Sequence, residues 1–158
     1  MVTYISNMYI VINACDFIHT NVYFKRPVKN NIIENSNFLR ILYSDDTICT
    51  TGLFISLPIY IQSLERFHNK YKCLFSFKDN EESVLTLEKI ERDILNHVNI
   101  RGKHMKYSIS NHLRSGTIKI YTNYKTKHRK DQYIIKISGI WVTDTEYGLT
   151  YKVLDIPI

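Results

Sequence analysis

The sequence predicts a single α+β domain, mainly β, in which one amphipathic helix accompanies antiparallel sheet. Short runs rich in β-branched and aromatic residues are bounded by Asp, Asn and Pro, as strands are. One long stretch instead has apolar residues at helical spacing. The chain of 158 residues, with 5 Gly and 3 Pro, has ordinary globular composition and lacks an obvious linker or repeat. We therefore expect one domain over residues 1–158, as a closed or partly open barrel or a curved sheet.

The first half of the chain contains three predicted strand segments, at residues 37–43, 47–61 and 71–77. Within the second segment, Gly52 and Pro58 predict a bulge or sharp bend, because proline cannot donate to a sheet ladder. The early run "MYIVINACDFI" also favours a strand. It is interrupted by Asn13 and Asp16 and lacks a basic leader and a cleavage site, so we expect neither a signal peptide nor a membrane span.

The predicted helix covers about residues 83–98. Its apolar stripe is formed by residues three or four apart: Val84, Leu87, Ile90, Ile94 and Val98. Ser83 is the expected N-cap. Acidic residues near the start suit the positive end of the helix dipole.

The second half begins with the basic stretch "IRGKHMKYSISNHLRSG", which we interpret as a loop, and continues with predicted strands at 117–124, 132–142 and 146–156. Alternation in the first of these strands places Ile118 and Ile120 on the buried face, and Lys119 and Tyr121 on the opposite face.

Trp141 has two alternative positions. Simple alternation buries it with Tyr133, Ile135 and Ile137. A bulge at the Ser138–Gly139 step would shift the register by one residue and turn Trp141 to the opposite face, where its ring could stack on a ligand.

The net charge of +6 is concentrated in one segment. Residues 101–136 contain ten Lys and Arg against the single carboxylate of Asp131, a net charge of +9, whereas the rest of the chain is slightly acidic. Such a segment is typical of a nucleic-acid-binding surface, with an ordinary solvated face as the alternative. Lysines beside aromatic rings further favour single strands, because bases can stack on the rings. The candidate binding residues are Lys103, Lys106, Arg114, Lys119, Tyr121, Tyr124, Lys125, Lys127, His128, Arg129, Lys130 and Trp141.

Enzymatic motifs are weak. The phosphate-loop, dinucleotide, hydrolase-elbow and zincin patterns do not occur, so no cofactor or metal is expected. Cys15, Cys49 and Cys73 are too widely spaced for a disulfide framework or a zinc site and are interpreted as reduced core thiols. Two nuclease alternatives stay open. His104 and His112 could form an acid–base pair, and turn carboxylates could hold Mg²⁺: Asp45, Asp46, Asp144 and Glu146.

A further alternative is a virion or interaction module that binds an acidic protein partner through the same cations, and homo-oligomerisation also stays open. The expected location is intracellular and soluble.

The C-terminal "SGIWVTDTEYGLTYKVLDIPI" resembles the closing strands of single-stranded-DNA-binding proteins from large double-stranded DNA viruses. "LRILYSDDTICTTGLFISLPI" resembles an early strand pair of that group, and "LEKIERDILNHV" a helix between its sheet regions. This resemblance implies an oligonucleotide/oligosaccharide-binding-like barrel without a catalytic centre. It also implies a protein that coats exposed DNA during viral replication or recombination, in the host nucleus or cytoplasm. The basic segment at 101–130 has no counterpart in the resemblance.

Overall fold

A computed structural model describes residues 9–68, 70–121 and 132–155. The strands are β1 (Val22–Phe24), β2 (Val28–Lys29), β3 (Asn37–Ser44), β4 (Cys49–Thr51), β5 (Leu53–Pro58), β6 (Ser63–Phe67), β7 (Lys70–Leu74), β8 (His104–Lys106), β9 (Thr117–Tyr121), β10 (Gln132–Val142) and β11 (Glu146–Leu154). The helices are α1 (Glu81–Val98) and α2 (Ser108–Arg114). Short 3-10 turns occupy Ala14–Asp16, His19–Asn21 and Lys78–Asn80.

The strands form one sheet along the path β1-β3-β10-β11-β9-β7-β6, with β2 and β4 also paired to β3, β5 to β10 and β8 to β11. The predicted α+β, mainly β class is confirmed. Over the described residues the sheet does not close into a barrel, so the closed barrel among the expected forms is not observed. It is also mixed, because β8 and β9 both run parallel to β11. The α2 helix between these two strands returns the chain so that both have the same direction.

Strand β10 pairs with three other strands. One edge pairs with β11, and the other is shared between β5 at residues 132–137 and β3 at residues 139–142. Ser138 is the extra residue at this change of partner, since the β10–β11 register shifts between Ile137 and Gly139. Gly52, with φ +84°, separates β4 from β5, which confirms the bend predicted there.

Helix α1 confirms the main predicted helix but starts two residues earlier, and the predicted cap is wrong. The N-cap position is Asn80. Its side chain joins the helix start to the preceding chain, accepting from the Tyr60 amide at 2.6 Å and donating to the Ser76 carbonyl at 2.8 Å. Ser83 instead donates its hydroxyl to the Pro58 carbonyl at 2.6 Å and ties the first turn to the end of β5.

The basic stretch expected as a loop forms β8 and α2. Helix α2 starts beneath the fully buried carboxylate of Glu91, which accepts from the Ile109 amide at 2.9 Å and from the Ser110 amide and hydroxyl at 2.8 and 2.6 Å. The N-terminal cap of α2 therefore comes from a residue of α1. With seven residues, α2 is also too short to show a clear helical spacing of apolar residues. Sequence periodicity could not have found it.

Both helices pack on the same face of the sheet. Their buried residues join one core cluster with strand residues such as Ile118, Ile137, Tyr147 and Leu149. Tyr147 donates its hydroxyl to the Leu95 carbonyl at 3.3 Å, so β11 is fixed directly to α1. The opposite face of the sheet carries neither helix, and its side chains point away from the core.

Two smaller expectations are corrected. The early run near Ile12 makes an isolated bridge to Ile55 and then a 3-10 turn, where a strand was predicted. Of the three free cysteines Cys73 is buried, whereas Cys15 and Cys49 are exposed and are not core thiols. None of the helices in the described ranges is both long and apolar enough to cross a membrane.

Candidate nucleic-acid interface

The helix-free side of the sheet, called the basic face here, collects cations from six strands. Strand register fixes this placement, because residues opposite one another share a face. Lys72 lies opposite Lys119, and Lys136 lies opposite Lys152, while neighbours such as Ile118, Ile120, Ile135 and Ile137 point into the core. The cations of the face are Arg40, Lys70, Lys72, Lys106, Lys119, Lys136 and Lys152.

The two opposed lysine pairs are the most informative feature of the basic face. Like charges directly opposite on a sheet are destabilising, so folding alone does not favour them. Within the described residues, no carboxylate lies at ion-pair distance from Lys72, Lys119, Lys136 or Lys152, although Glu65 of β6 is the other cross-strand neighbour of Lys72. The positive charge is therefore available to a ligand.

Aromatic rings lie among these cations, and Trp141 is one of them. The bulge at Ser138 turns Trp141 away from the buried Ile140 and Val142 and leaves it partly exposed, which is the second of the two predicted positions. Its cross-strand partner on β3 is Phe38, also partly exposed. Two glycines make room for these rings: a Cβ on Gly148 would stand 2.8 Å from the Trp141 ring, and one on Gly139 2.4 Å from the Phe38 ring.

The ring of Tyr121 makes cation–π contacts with two of the lysines. The Lys70 Nζ lies 4.6 Å and the Lys152 Nζ 5.2 Å from the centre of its ring. Such cation–π contacts contribute about 0.5–1 kcal/mol each at exposed sites. Tyr121 lies on the face where alternation placed it, but its ring orders ammonium groups, so Phe38 and Trp141 are better placed for stacking.

A cleft of about 220 Å³ opens between β9 and β11. We call it the β9–β11 cleft. Its rim carries Lys72, Lys119, Tyr121 and Lys152, and its other lining residues are His112, Thr117, Ile118, Tyr151 and Val153. The Tyr151 hydroxyl and His112 Nδ1 share a hydrogen bond. Burial, with a smaller contribution from Glu91, raises the pKa of Tyr151, so its phenol stays neutral.

A second cleft of about 470 Å³ lies on the same face beside β3, and we call it the β3 cleft. It combines the apolar side chains of Val28, Ile32 and Ile33 with the ring of Phe38 and with basic groups, namely Lys29, Arg40, Lys136 and Lys152. Asn30 shapes the overhanging loop by accepting from the Ile32 amide at 2.9 Å. Because Lys152 lines both clefts, the two are neighbours on one continuous surface.

Three predicted binding residues instead make hydrogen bonds or ion pairs within the protein. Arg114, on α2, makes a two-point ion pair with Glu88 of α1, which raises the pKa of Arg114 mainly through that hydrogen bond. Lys103 donates to the carbonyls of Thr143 and Asp144 and fastens the β10–β11 turn. Lys106 reaches the basic face but pairs with Glu146 at 3.0 Å.

The remaining predicted residues divide into two groups. Lys119, Tyr121 and Trp141 lie on the basic face, as described above. The others lie outside the described residues: Tyr124, Lys125, Lys127, His128, Arg129 and Lys130.

Sequence reasoning missed most of the face. Arg40, Lys70, Lys72 and Lys152 lie outside the segment with the highest net charge, and Phe38 was assigned only to a strand. The alternation in "KYKCL" signals that Lys70 and Lys72 share an exposed face. Only the pairing of β7 with β9 shows that this face continues into that of Lys119.

The candidate catalytic groups are not brought together. His104 on β8 lies opposite Glu146, whereas His112 on α2 contacts Tyr151. Asp45 accepts from the Thr47 and Ile48 amides at 2.7 and 2.9 Å, and these hydrogen bonds lower its pKa, as in a tight turn. Across the described ranges, no cluster of three His, Cys, Asp or Glu residues could hold a metal ion.

Comparison of the chain with protein-family models, with curated proteins and with solved structures gave no match.

Proposed function

We propose that this protein is a non-catalytic single-stranded nucleic-acid-binding protein that holds the strand on its basic face. The observation that carries this proposal is that Lys72 lies opposite Lys119 and Lys136 opposite Lys152, and that none of the four makes a described ion pair. A phosphate chain supplies the missing negative charge along the face. Such binding releases counterions and depends steeply on salt.

The rings favour single strands over duplex. Trp141 and Phe38 are partly exposed among the cations and can stack on unpaired bases, which contributes about 1–3 kcal/mol per base. The bases of a duplex already stack on each other and do not present a ring face to the protein. Stacking of this kind is tolerant of sequence, so we expect little base preference.

The distance across the basic face from β7 to β3 limits how many nucleotides of a strand can contact it. The path crosses β9, β11 and β10, which makes four strand spacings or about 19 Å. This corresponds to a short site of about four to six nucleotides.

DNA is the expected polymer because of the resemblance of residues 138–158 to viral single-stranded-DNA-binding proteins. The corresponding role is to coat strands exposed during viral DNA replication or recombination, inside the host nucleus or cytoplasm. An acidic protein partner would meet the same cations, but its binding would not require an exposed ring or prefer unpaired bases.

The test is fluorescence anisotropy with labelled oligo-dT, a matched duplex and a matched RNA, in about 50 and about 200 mM salt with Mg²⁺ present. The Lys119→Ala/Lys152→Ala variant is compared with Lys78→Ala/Lys89→Ala, which removes the same charge near or on α1. We expect the first variant alone to weaken binding and to reduce the log–log salt slope by about 1.4.

Three outcomes would contradict the proposal: equal affinity of both variants and the wild type, preference for the duplex, or cleavage of the oligonucleotide. A complex indifferent to salt would point to recognition of a protein.

A further inference from the structure

The β9–β11 cleft differs from the rest of the basic face because it is a gap in the sheet. On one edge of β11, β8 pairs with residues 146–148 and β9 with residues 153–154. No described strand pairs with that edge between these two points. The cleft occupies this gap, and α2 contributes His112 to its lining from the helix side.

The fully charged side chains among the described lining residues of the gap are all basic. The side chains of Lys72, Lys119 and Lys152 line it, and none of its described lining residues is a carboxylate. Lys152 is ordered by its contact with the Tyr121 ring, and Lys119 lies opposite Lys72 across the β7–β9 pair. His112 and the phenol of Tyr151 add polar groups but no negative charge, because burial keeps Tyr151 protonated.

The shape of the cleft selects a small anion. Its volume of about 220 Å³ equals that of roughly seven waters and is below the roughly 300 Å³ of ordinary small-molecule sites. A phosphate with a few waters fills this volume. On the helix side the cleft is lined by His112 of α2.

The number of lysines that line the cleft favours the terminal phosphate of a strand over an internal phosphodiester as its ligand. An internal phosphodiester carries one negative charge, while a terminal phosphate monoester carries about −1.5 to −2 at pH 7. Three lysines that line one cleft, none of them in a described ion pair, interact more strongly with the more highly charged group. A monoester also has three terminal oxygens that can accept hydrogen bonds from ammonium groups.

We propose that the β9–β11 cleft binds a terminal phosphate monoester, so that the basic face holds a phosphorylated strand end in a fixed position. This inference rests on the proposed single-strand binding and adds a defined end to it. The remainder of the strand then crosses β11 toward the β3 cleft, guided by Lys152, which lines both clefts.

The experiment compares three oligo-dT strands of equal length with a 5′-phosphate, a 3′-phosphate or no terminal phosphate, at one salt concentration. We expect one phosphorylated strand to bind about tenfold more tightly than the unphosphorylated strand. Lys72→Ala/Lys119→Ala should abolish this preference. Lys136→Ala, on the basic face but outside the β9–β11 cleft, should keep the preference while weakening all three strands.

Inorganic phosphate and thymidine monophosphate serve as competitors. Each should remove the advantage of the phosphorylated strand and leave binding of the unphosphorylated strand nearly unchanged. Circular-dichroism melting should show that Lys72→Ala/Lys119→Ala stays folded, because it removes a repulsive pair from the surface.

Equal affinity of the wild type for all three strands would overturn this inference and leave the proposed function intact. A preference that survives Lys72→Ala/Lys119→Ala would also overturn it, because the phosphate would then bind elsewhere. Failure of the wild type to bind any strand would instead overturn the proposed function itself.

Discussion

Trp141 of β10 lies across Gly148 of β11, with its indole in the space that a side chain at position 148 would need. A Cβ built on Gly148 would stand 2.8 Å from Cζ2 of Trp141 and 2.9 Å from the carbonyl oxygen of Lys106. The two residues are register partners only because Ser138 is bulged out of the β10–β11 ladder. The bulge and the glycine together put the single tryptophan of the chain on the basic face.

Gly148→Ala should therefore destabilise the protein by about 1–3 kcal/mol, because either the indole or the β8 backbone must move. Urea unfolding followed by far-UV circular dichroism measures this loss. Gly148→Ala/Trp141→Ala should be less destabilised than the sum of the two single variants, since the clash with the ring is gone. A coupling free energy of at least about 0.5 kcal/mol is expected. Additive effects would show that the indole does not occupy this space.

Binding of a single strand should quench the fluorescence of Trp141, because a base stacked on the indole accepts its excitation by direct ring contact. Trp141→Ala should weaken oligo-dT binding by about 1–3 kcal/mol with an unchanged salt slope, and Trp141→Phe should recover most of the loss. Titration by intrinsic fluorescence measures the quenching, and anisotropy measures the affinities. Unchanged emission on saturation with oligo-dT would exclude stacking on this ring.

The sequence predicted what depends on local pattern. The alternation of Ile118 and Ile120 with Lys119, the apolar stripe of α1 and the bend at Gly52 all follow from a few neighbouring residues. The Ser138–Gly139 step likewise suggested the alternative register that Trp141 has.

The rest of the site depends on contacts between distant segments. Lys72 and Lys119 are 47 positions apart and meet only because β7 pairs with β9. The charge of the segment at 101–136 did not indicate that Arg114 forms an ion pair with Glu88. Nor did it indicate that Glu91 caps the start of α2. Net charge along the chain located positive residues, but only the strand order showed which of them share a face.

Arg114 should be structural, although it lies in the most basic segment. Its guanidinium satisfies the carboxylate of Glu88, whose side chain is only 9% exposed. Arg114→Ala should lower the Tm because the Glu88 carboxylate then stays buried without its partner. The same variant should bind oligo-dT as the wild type does. Thermal melting and anisotropy on the same preparation check both statements.

Glu88→Gln in the Arg114→Ala background should restore part of the lost Tm, since the amide carries no charge to bury. A loss of oligo-dT affinity in folded Arg114→Ala, with the Tm unchanged, would instead place Arg114 in the binding surface.

Two of the three thiols should react with a chromogenic disulfide reagent in the native protein. Cys15 and Cys49 are exposed, whereas Cys73 is fully buried on β7 beneath the basic face. Burial, with a smaller contribution from Asp155, raises the pKa of Cys73 to about 12, so its reactive thiolate is scarce at neutral pH. The third thiol should react only after unfolding in denaturant. Three equally fast thiols would contradict the placement of Cys73 in the core.

The same pKa shift makes the fold sensitive to alkali. The folded protein holds the Cys73 proton more tightly than the unfolded chain, whose thiol has the ordinary pKa of 9.0. The stabilisation is therefore complete below about pH 9 and is lost as the pH rises toward about 12, by up to about 4 kcal/mol.

Cys73→Ala should be less stable near pH 7 but should lose less stability between pH 9 and pH 11. Tyr151 contributes to the alkaline loss in both proteins, because burial raises its pKa as well. Urea unfolding at pH 7, 9, 10 and 11 measures the two curves, and parallel curves would show that Cys73 does not titrate with unfolding.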